Sequence, residues 1–105
     1  MEWPQARYRF SSHPAARNEI EEVMRDVGTQ RRYDTIKLMA VDNFNGMSRP
    51  QIGTAKGLRY FRVRSVRIFF EVRGNTIYIL SAFRKTQRRI PDREFEKAER
   101  RRESL

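Results

Sequence analysis

Two periods divide this chain. Up to about residue 46 the apolar side chains recur every three to four positions, from residue 58 to 83 they alternate, and a helical pattern returns only near the end. Ala16, Ile20, Val23, Met24 and Val27 form the first helical stripe, with Glu19, Glu21 and Glu22 toward the end where the macrodipole favours acids. Ser11-Ser12-His13-Pro14 marks its start, Pro being suited to a first turn, and Gly28 is expected to close it. His13 is read as a capping or surface residue, since a lone histidine has no partner group in view. Ahead of it, Arg7 to Phe10 alternates as a short edge or N-terminal strand would. A second helical pattern runs from about Gln30 through Tyr33, Ile36, Ala40 and Phe44, with Gly46 placed to stop it. The two helices make an αα-hairpin, and Met47 to Gly57, with Pro50 and Gly53, reads as a loop.

The alternating half predicts three antiparallel strands, Leu58–Val63, Val66–Arg73 and Thr76–Phe83, joined by turns at Arg64-Ser65 and Gly74-Asn75. Two-residue turns fix the pairing. Val63 then faces Val66, Arg62 faces Arg67 and Phe61 faces Ile68; on the other side Val72 faces Ile77 and Phe70 faces Ile79. One face carries Phe61, Val63, Val66, Ile68, Phe70, Val72, Ile77, Ile79 and Phe83, broken only by Ser81, and should bury against the helical hairpin. The opposite face, with Tyr60, Arg62, Arg67, Phe69, Glu71, Tyr78, Leu80 and Ala82, is expected to stay accessible. Pro91 opens a charged helix from Asp92 to about Glu103, with Phe95 and Ala98 facing inward. The reading is an α+β fold, a helical hairpin on one side of a small twisted sheet, as a single domain over 1–105.

Composition narrows the chemistry. Without cysteine, and with one histidine, the chain offers no disulfide framework, no thiolate metal site and little for a nitrogen-rich one, so no metal or cofactor is expected. No stretch approaches the roughly 18 apolar residues of a membrane span, and the start lacks a basic, then apolar leader; a soluble, cytoplasmic protein is expected. The net charge of +10 is unevenly held: residues 1–55 carry 8 Lys/Arg against 7 Asp/Glu, and residues 56–105 carry 15 against 6. The second half thus holds +9 of the excess, a footprint of a polyanion-facing surface.

Register gives that charge a location. Arg62 and Arg67 are cross-strand neighbours, a like-charge pair that costs from tenths of a kcal/mol to about 1 kcal/mol. A phosphate between them removes the repulsion, and the planar guanidinium matches its oxygens; the alternative is neutralisation by Glu71 or by a carboxylate of the last helix. The third strand runs straight into Arg84-Lys85-Thr86-Gln87-Arg88-Arg89, four cations in six residues, which leave the sheet at the same edge. With Tyr60, Phe69 and Tyr78 on the floor this predicts a basic, aromatic cleft for a phosphate backbone and unpaired bases, most naturally RNA.

Those residues carry a resemblance. The strand arginines Arg62 and Arg67, Lys85, the later cation Arg89 and the Pro91, Glu94, Ala98 helix signature are similar, over about Ile20 to Arg102, to the phage-derived, HigB-like branch of the RelE toxin superfamily. Two departures stand out: Tyr60 replaces a usual glutamate, and Thr86 replaces the second lysine of a pair. The resemblance implies a RelE-like fold and the toxin of a type II toxin–antitoxin system that cuts translated mRNA in the ribosomal A site. It also implies an antitoxin, usually a helix-turn-helix protein of the HigA kind, that covers the site in a hetero-oligomer. On that basis Arg62, Arg67 and Lys85 are the expected catalytic residues, the arginines stabilising the phosphate and Lys85 moving a proton, without a metal or cofactor. Arg64, Arg84, Arg88, Arg89, Tyr60 and Tyr78 would bind flanking RNA. Two other readings share the fold: a ParE-like inhibitor of a topoisomerase, and a basic RNA- or ribosome-binding domain without chemistry. Cations converging on one phosphate argue for the nuclease.

Overall fold

Local signals set the first helix as expected. In a computed structural model of the chain, His13 Nδ1 accepts the Ala15 N–H at 3.1 Å and Pro14 fills the first turn of α1 (Pro14–Val23), which ends on the Met24 N–H to Ile20 carbonyl bond. The backbone is described for residues 8–47, 49–50 and 57–105, and the side chains for 8–42 and 57–105. The expectations for Arg7, for the Phe44 side chain and for most of the 47–57 loop lie outside these residues.

Gly28 does not close α1. It sits in the first turn of α2 (Val27–Met47), which begins ahead of the expected Gln30 because Asp26 caps it. The Asp26 carboxylate accepts the Thr29 N–H and the Thr29 hydroxyl, both at 2.9 Å. An Asp-x-x-Thr cap outcompetes a glycine stop at this corner. At its other end α2 runs one residue past Gly46.

The sheet has strand order β1-β5-β4-β3-β2, formed by β1 (Arg9–Ser12), β2 (Arg49–Pro50), β3 (Arg59–Val63), β4 (Val66–Arg73) and β5 (Thr76–Arg84). β1 runs parallel to β5 and every other pairing is antiparallel. β2, placed where a loop was expected, is a two-residue edge strand, a position that tolerates Pro50 because an edge needs no N–H there. Both hairpin registers follow the two-residue turns, with Arg62 opposite Arg67 and Val72 opposite Ile77. Arg64 and Gly74 hold positive φ, 57° and 58°, at the first position of each turn.

One residue breaks the alternation. Phe70 pairs with Ile79 but Phe69 pairs with Ser81, so a bulge at Leu80 shifts the remainder of β5 by one. Ala82, expected on the accessible face, therefore lies opposite Ile68 in the hairpin core, and Phe83, expected in that core, turns to the other side. The core gathers Ala16, Met24, Tyr33, Ile36 and Ala40 from the helices over Phe61, Val63, Val66, Ile68, Phe70, Ile77 and Ile79, with Phe61 stacked on Phe70 at 4.2 Å.

The middle of the opposite face is covered rather than accessible. Leu58, Phe69, Leu80, Phe83 and Ala98 form a second apolar cluster beneath α3 (Asp92–Glu103), with Tyr60, Ile90 and Phe95 at its margin. With both faces covered, β4 is buried continuously from Val66 to Phe70. Side chains satisfy the backbone groups of the bulge: the Ala82 N–H donates to Glu19 at 3.1 Å, and Arg101 donates to the Leu80 carbonyl at 2.9 Å. Glu19 also binds Arg101 at 2.7 Å and Lys97 at 3.0 Å, fastening α1 to α3 across the strand. No described helix is long and apolar enough to cross a membrane.

Partial burial acts to raise the Glu19 pKa, but the hydrogen bonds from Arg101, Lys97 and the Ala82 amide outweigh it and hold the carboxyl below its ordinary value of 4.5. A depressed carboxyl stabilises the fold above its ordinary value and loses that contribution as pH falls through the folded one. Glu19→Gln is expected to cost about 2 kcal/mol at neutral pH, the order of a charge-assisted hydrogen bond. Denaturant titrations of both proteins should show the gap closing below about pH 4.5; a gap independent of pH would contradict the assignment.

Candidate functional site

Arg62 on β3 and Arg67 on β4 point to the α3 side of the sheet, because their neighbours Phe61, Val63, Val66 and Ile68 fill the hairpin core. Past β5, the Lys85 N–H donates to the Ser65 carbonyl at 2.7 Å, which keeps the chain beside the β3–β4 turn before it turns back toward α3. The result is a cleft of about 450 Å³ lined by Tyr60, Arg62, Arg67, Lys85, Arg88, Arg89, Ile90 and Phe95. Five of the eight are cations and none is a carboxylate.

Glu71 and Glu94, two carboxylates that could have neutralised the pair, are engaged elsewhere. Glu71 lies 3.2 Å from Arg73, and Glu94 lies 3.0 Å from Lys97. Arg67 is nearly buried, 8% exposed, and its Nη1 donates to the Arg64 carbonyl at 2.8 Å and to the Val66 carbonyl at 3.1 Å. Burial holds its guanidinium below the usual arginine range, the charge of Arg62 adds to this and Tyr60 partly offsets it. A bound anion would relieve both effects. Lys85 Nζ donates to the Arg88 carbonyl at 2.8 Å, which clasps the 85–88 segment into the cleft wall.

Six of the nine residues expected at the site thus line one cleft: Arg62, Arg67, Lys85, Arg88, Arg89 and Tyr60. Three do not. Arg64 points away and pairs with Asp26 at 2.9 Å. Arg84 donates to the Ser65 hydroxyl at 2.7 Å and lines a separate groove beside α1 with Glu22 and Arg25. Tyr78 sits between Glu71 and Ser11 in the ladders, away from the cleft. Phe69 is no floor residue either: it is fully buried, 5.2 Å from Phe95, 5.6 Å from Phe83 and edge-on to Tyr60 at 5.9 Å. The apolar wall of Ile90 and Phe95 was not expected at the site. The inward spacing of Phe95 and Ala98 located their helix face but not its neighbour. Among the described residues no three His, Cys, Asp or Glu side chains come together as metal ligands would.

A hairpin of helices on a mixed sheet, closed on its other face by a C-terminal helix, is the RelE-like α+β architecture. The chain is similar in structure to a chain of the toxin–antitoxin complex RelBE2 from Mycobacterium tuberculosis, with a TM-score of 0.57 at 12% identity over 74% of this chain and 98% of that one. It is also similar to YafQ from Escherichia coli strain BL21(DE3), with a TM-score of 0.52 at 8% identity over 73% and 92% of the two chains. Residues 21–103 match the family of phage-derived Gp49-like proteins (DUF891), and the chain belongs to that family. No curated protein matches it. The resemblance to the RelE superfamily drawn from the strand and helix motifs is borne out in the fold.

A carboxylate-free cleft with a fixed guanidinium should bind simple oxyanions. Inorganic phosphate at low salt is expected to shift the side-chain NMR signals of Arg62, Arg67, Arg88 and Arg89 while sparing Arg64 and Arg84, and Arg67→Ala should weaken binding about tenfold through loss of charge-assisted hydrogen bonds. Equal shifts at all six arginines would mean diffuse screening instead of a site.

Proposed function

We propose that this protein is the toxin of a type II toxin–antitoxin system and acts in the cytoplasm as a ribosome-dependent mRNA endoribonuclease. The observation that carries the reading is the convergence of Arg62, Arg67, Lys85, Arg88 and Arg89 on one cleft without a carboxylate. A protein-binding surface has no need to gather five unneutralised cations against two aromatic rings. Fold likeness to a chain of a toxin–antitoxin complex supports the same reading.

The chemistry follows from the groups present. The ribose 2′-OH attacks the adjacent phosphorus, the P–O5′ bond breaks, and the products are a 2′,3′-cyclic phosphate and a 5′-hydroxyl. Charge builds on the non-bridging oxygens in the phosphorane-like transition state. Arg62 and Arg67 stabilise it, and Arg67, already fixed by two carbonyls, needs little reorganisation to do so. Besides the arginines, Tyr60 and Lys85 are the lining groups able to exchange protons. Tyr60 in its phenolate form takes the 2′ proton and the Lys85 ammonium gives one to the departing 5′ oxygen, so the step is balanced without a metal. Arg88 and Arg89 hold flanking phosphates, and Phe95 and Tyr60 offer faces for unpaired bases. A helix-turn-helix antitoxin of the HigA kind would silence the protein by covering this cleft.

Induction in a bacterial host, with 5′ ends mapped on a translated message, tests the reading. Cleavage within codons is expected, reduced roughly 10²- to 10³-fold by Arg67→Ala, the usual cost of losing one preorganised transition-state donor. Tyr60→Phe should lower kcat by about 10²-fold or more. Intact messages alongside arrested replication would sink the nuclease in favour of a topoisomerase poison.

A further inference from the structure

The corner between α1 and α2 lies outside the cleft, yet it is joined to Arg67 by an unbroken series of short contacts. Asp26 Oδ2, besides capping α2, accepts from Arg64 Nη1 at 2.9 Å. The hydrogen bonds from the Thr29 amide and hydroxyl, and then the charge of Arg64, hold this carboxyl below the usual aspartate range, so it is ionised at neutral pH. The guanidinium of Arg64 rests against Gly28, where a Cβ would stand 2.6 Å from Nη1 and 3.4 Å from Asp26 Oδ2. Arg64 itself is the one described non-glycine residue with positive φ, a region that L side chains rarely adopt. Its side chain is drawn outward to Asp26, while its carbonyl accepts from Arg67 Nη1 at 2.8 Å.

We propose that Asp26 and Gly28 are positioning residues for the cleft: together they seat Arg64, and the turn held in this way presents the carbonyl that orients the Arg67 guanidinium. The proposal rests on the reading of the cleft as a phosphate site. It gives separate duties to two features that look unremarkable in the sequence. Gly28 is kept bare to admit a side chain from the sheet, since its own backbone needs no left-handed conformation. Asp26 serves a helix cap and a distant turn with the same oxygen.

Gly28→Ala is the discriminating variant. Alanine favours a helix over glycine, so a purely structural role predicts that the change leaves the thermal midpoint unchanged or higher and the cleft unaffected. The positioning role predicts the same midpoint, but with the Arg64 head group displaced and the cleft disturbed. In the unliganded protein the Arg67 side-chain NMR signals should then show faster rotation about the Nε–Cζ bond. Affinity for inorganic phosphate should fall about three- to tenfold, as for misaligned charge-assisted hydrogen bonds. Arg64→Gly, which keeps the turn's backbone and removes the tie, should reproduce both effects. Gly28→Ala added to it should change nothing further.

Unaltered Arg67 rotation in both Gly28→Ala and Arg64→Gly would overturn the proposal, and so would additive effects in the double variant. Should the unaltered protein fail to bind phosphate at Arg67, the phosphate reading falls. The rotation measurement on unliganded protein still decides whether Asp26 and Gly28 order that side chain.

Discussion

The structure depends on the bracket that Glu19 and Arg101 form around the bulge in β5. A bulge removes ladder hydrogen bonds and leaves buried backbone groups that must be satisfied elsewhere. Here the Ala82 N–H finds Glu19 and the Leu80 carbonyl finds Arg101, while the two side chains bind each other at 2.7 Å. Three consequences share this origin. The end of β5 changes face, so Ala82 packs under the helical hairpin and Phe83 under α3. α3 is held across the sheet by its Lys97 and Arg101. Phe95, carried on the same helix, closes the cleft wall.

The arrangement separates rigidity from charge. Apolar contacts on both faces of β4 and the Glu19 network supply an immobile base, and the cations stand along one margin of it. Arg62 opposite Arg67 is unfavourable for folding alone, and the absence of any lining carboxylate leaves the repulsion uncompensated within the cleft. Apolar burial elsewhere tolerates such a site, and a bound anion would relieve its repulsion. The turn carbonyls hold the Arg67 guanidinium in place, so an anion bound beside it would require little reorganisation.

Cations of the same type have taken opposite duties within a few residues. Arg67 faces the cleft, Arg64 ties the turn behind it, Arg84 binds the Ser65 hydroxyl, and Lys85 clasps the segment that carries Arg88. A basic run therefore is not a uniform surface for polyanions; part of it builds the loop that the remainder uses.

What the sequence determined by itself was local. Two-residue turns set both hairpin registers, so the Arg62–Arg67 pair was legible, as were the element types apart from the edge strand β2, the capping by His13 and the gathering of charge in the second half. Alternation could not reveal the bulge, because its cause is Glu19, 63 residues from Ala82, and Arg101, 21 residues from Leu80. For the same reason the burial of Phe69, the wall of Ile90 and Phe95, and the turning away of Arg64 and Tyr78 were decided only in the tertiary structure. Periodicity records which side chains share a face of one element, whereas a site is made where faces of different elements meet, and that meeting is set by contacts between residues far apart in the chain.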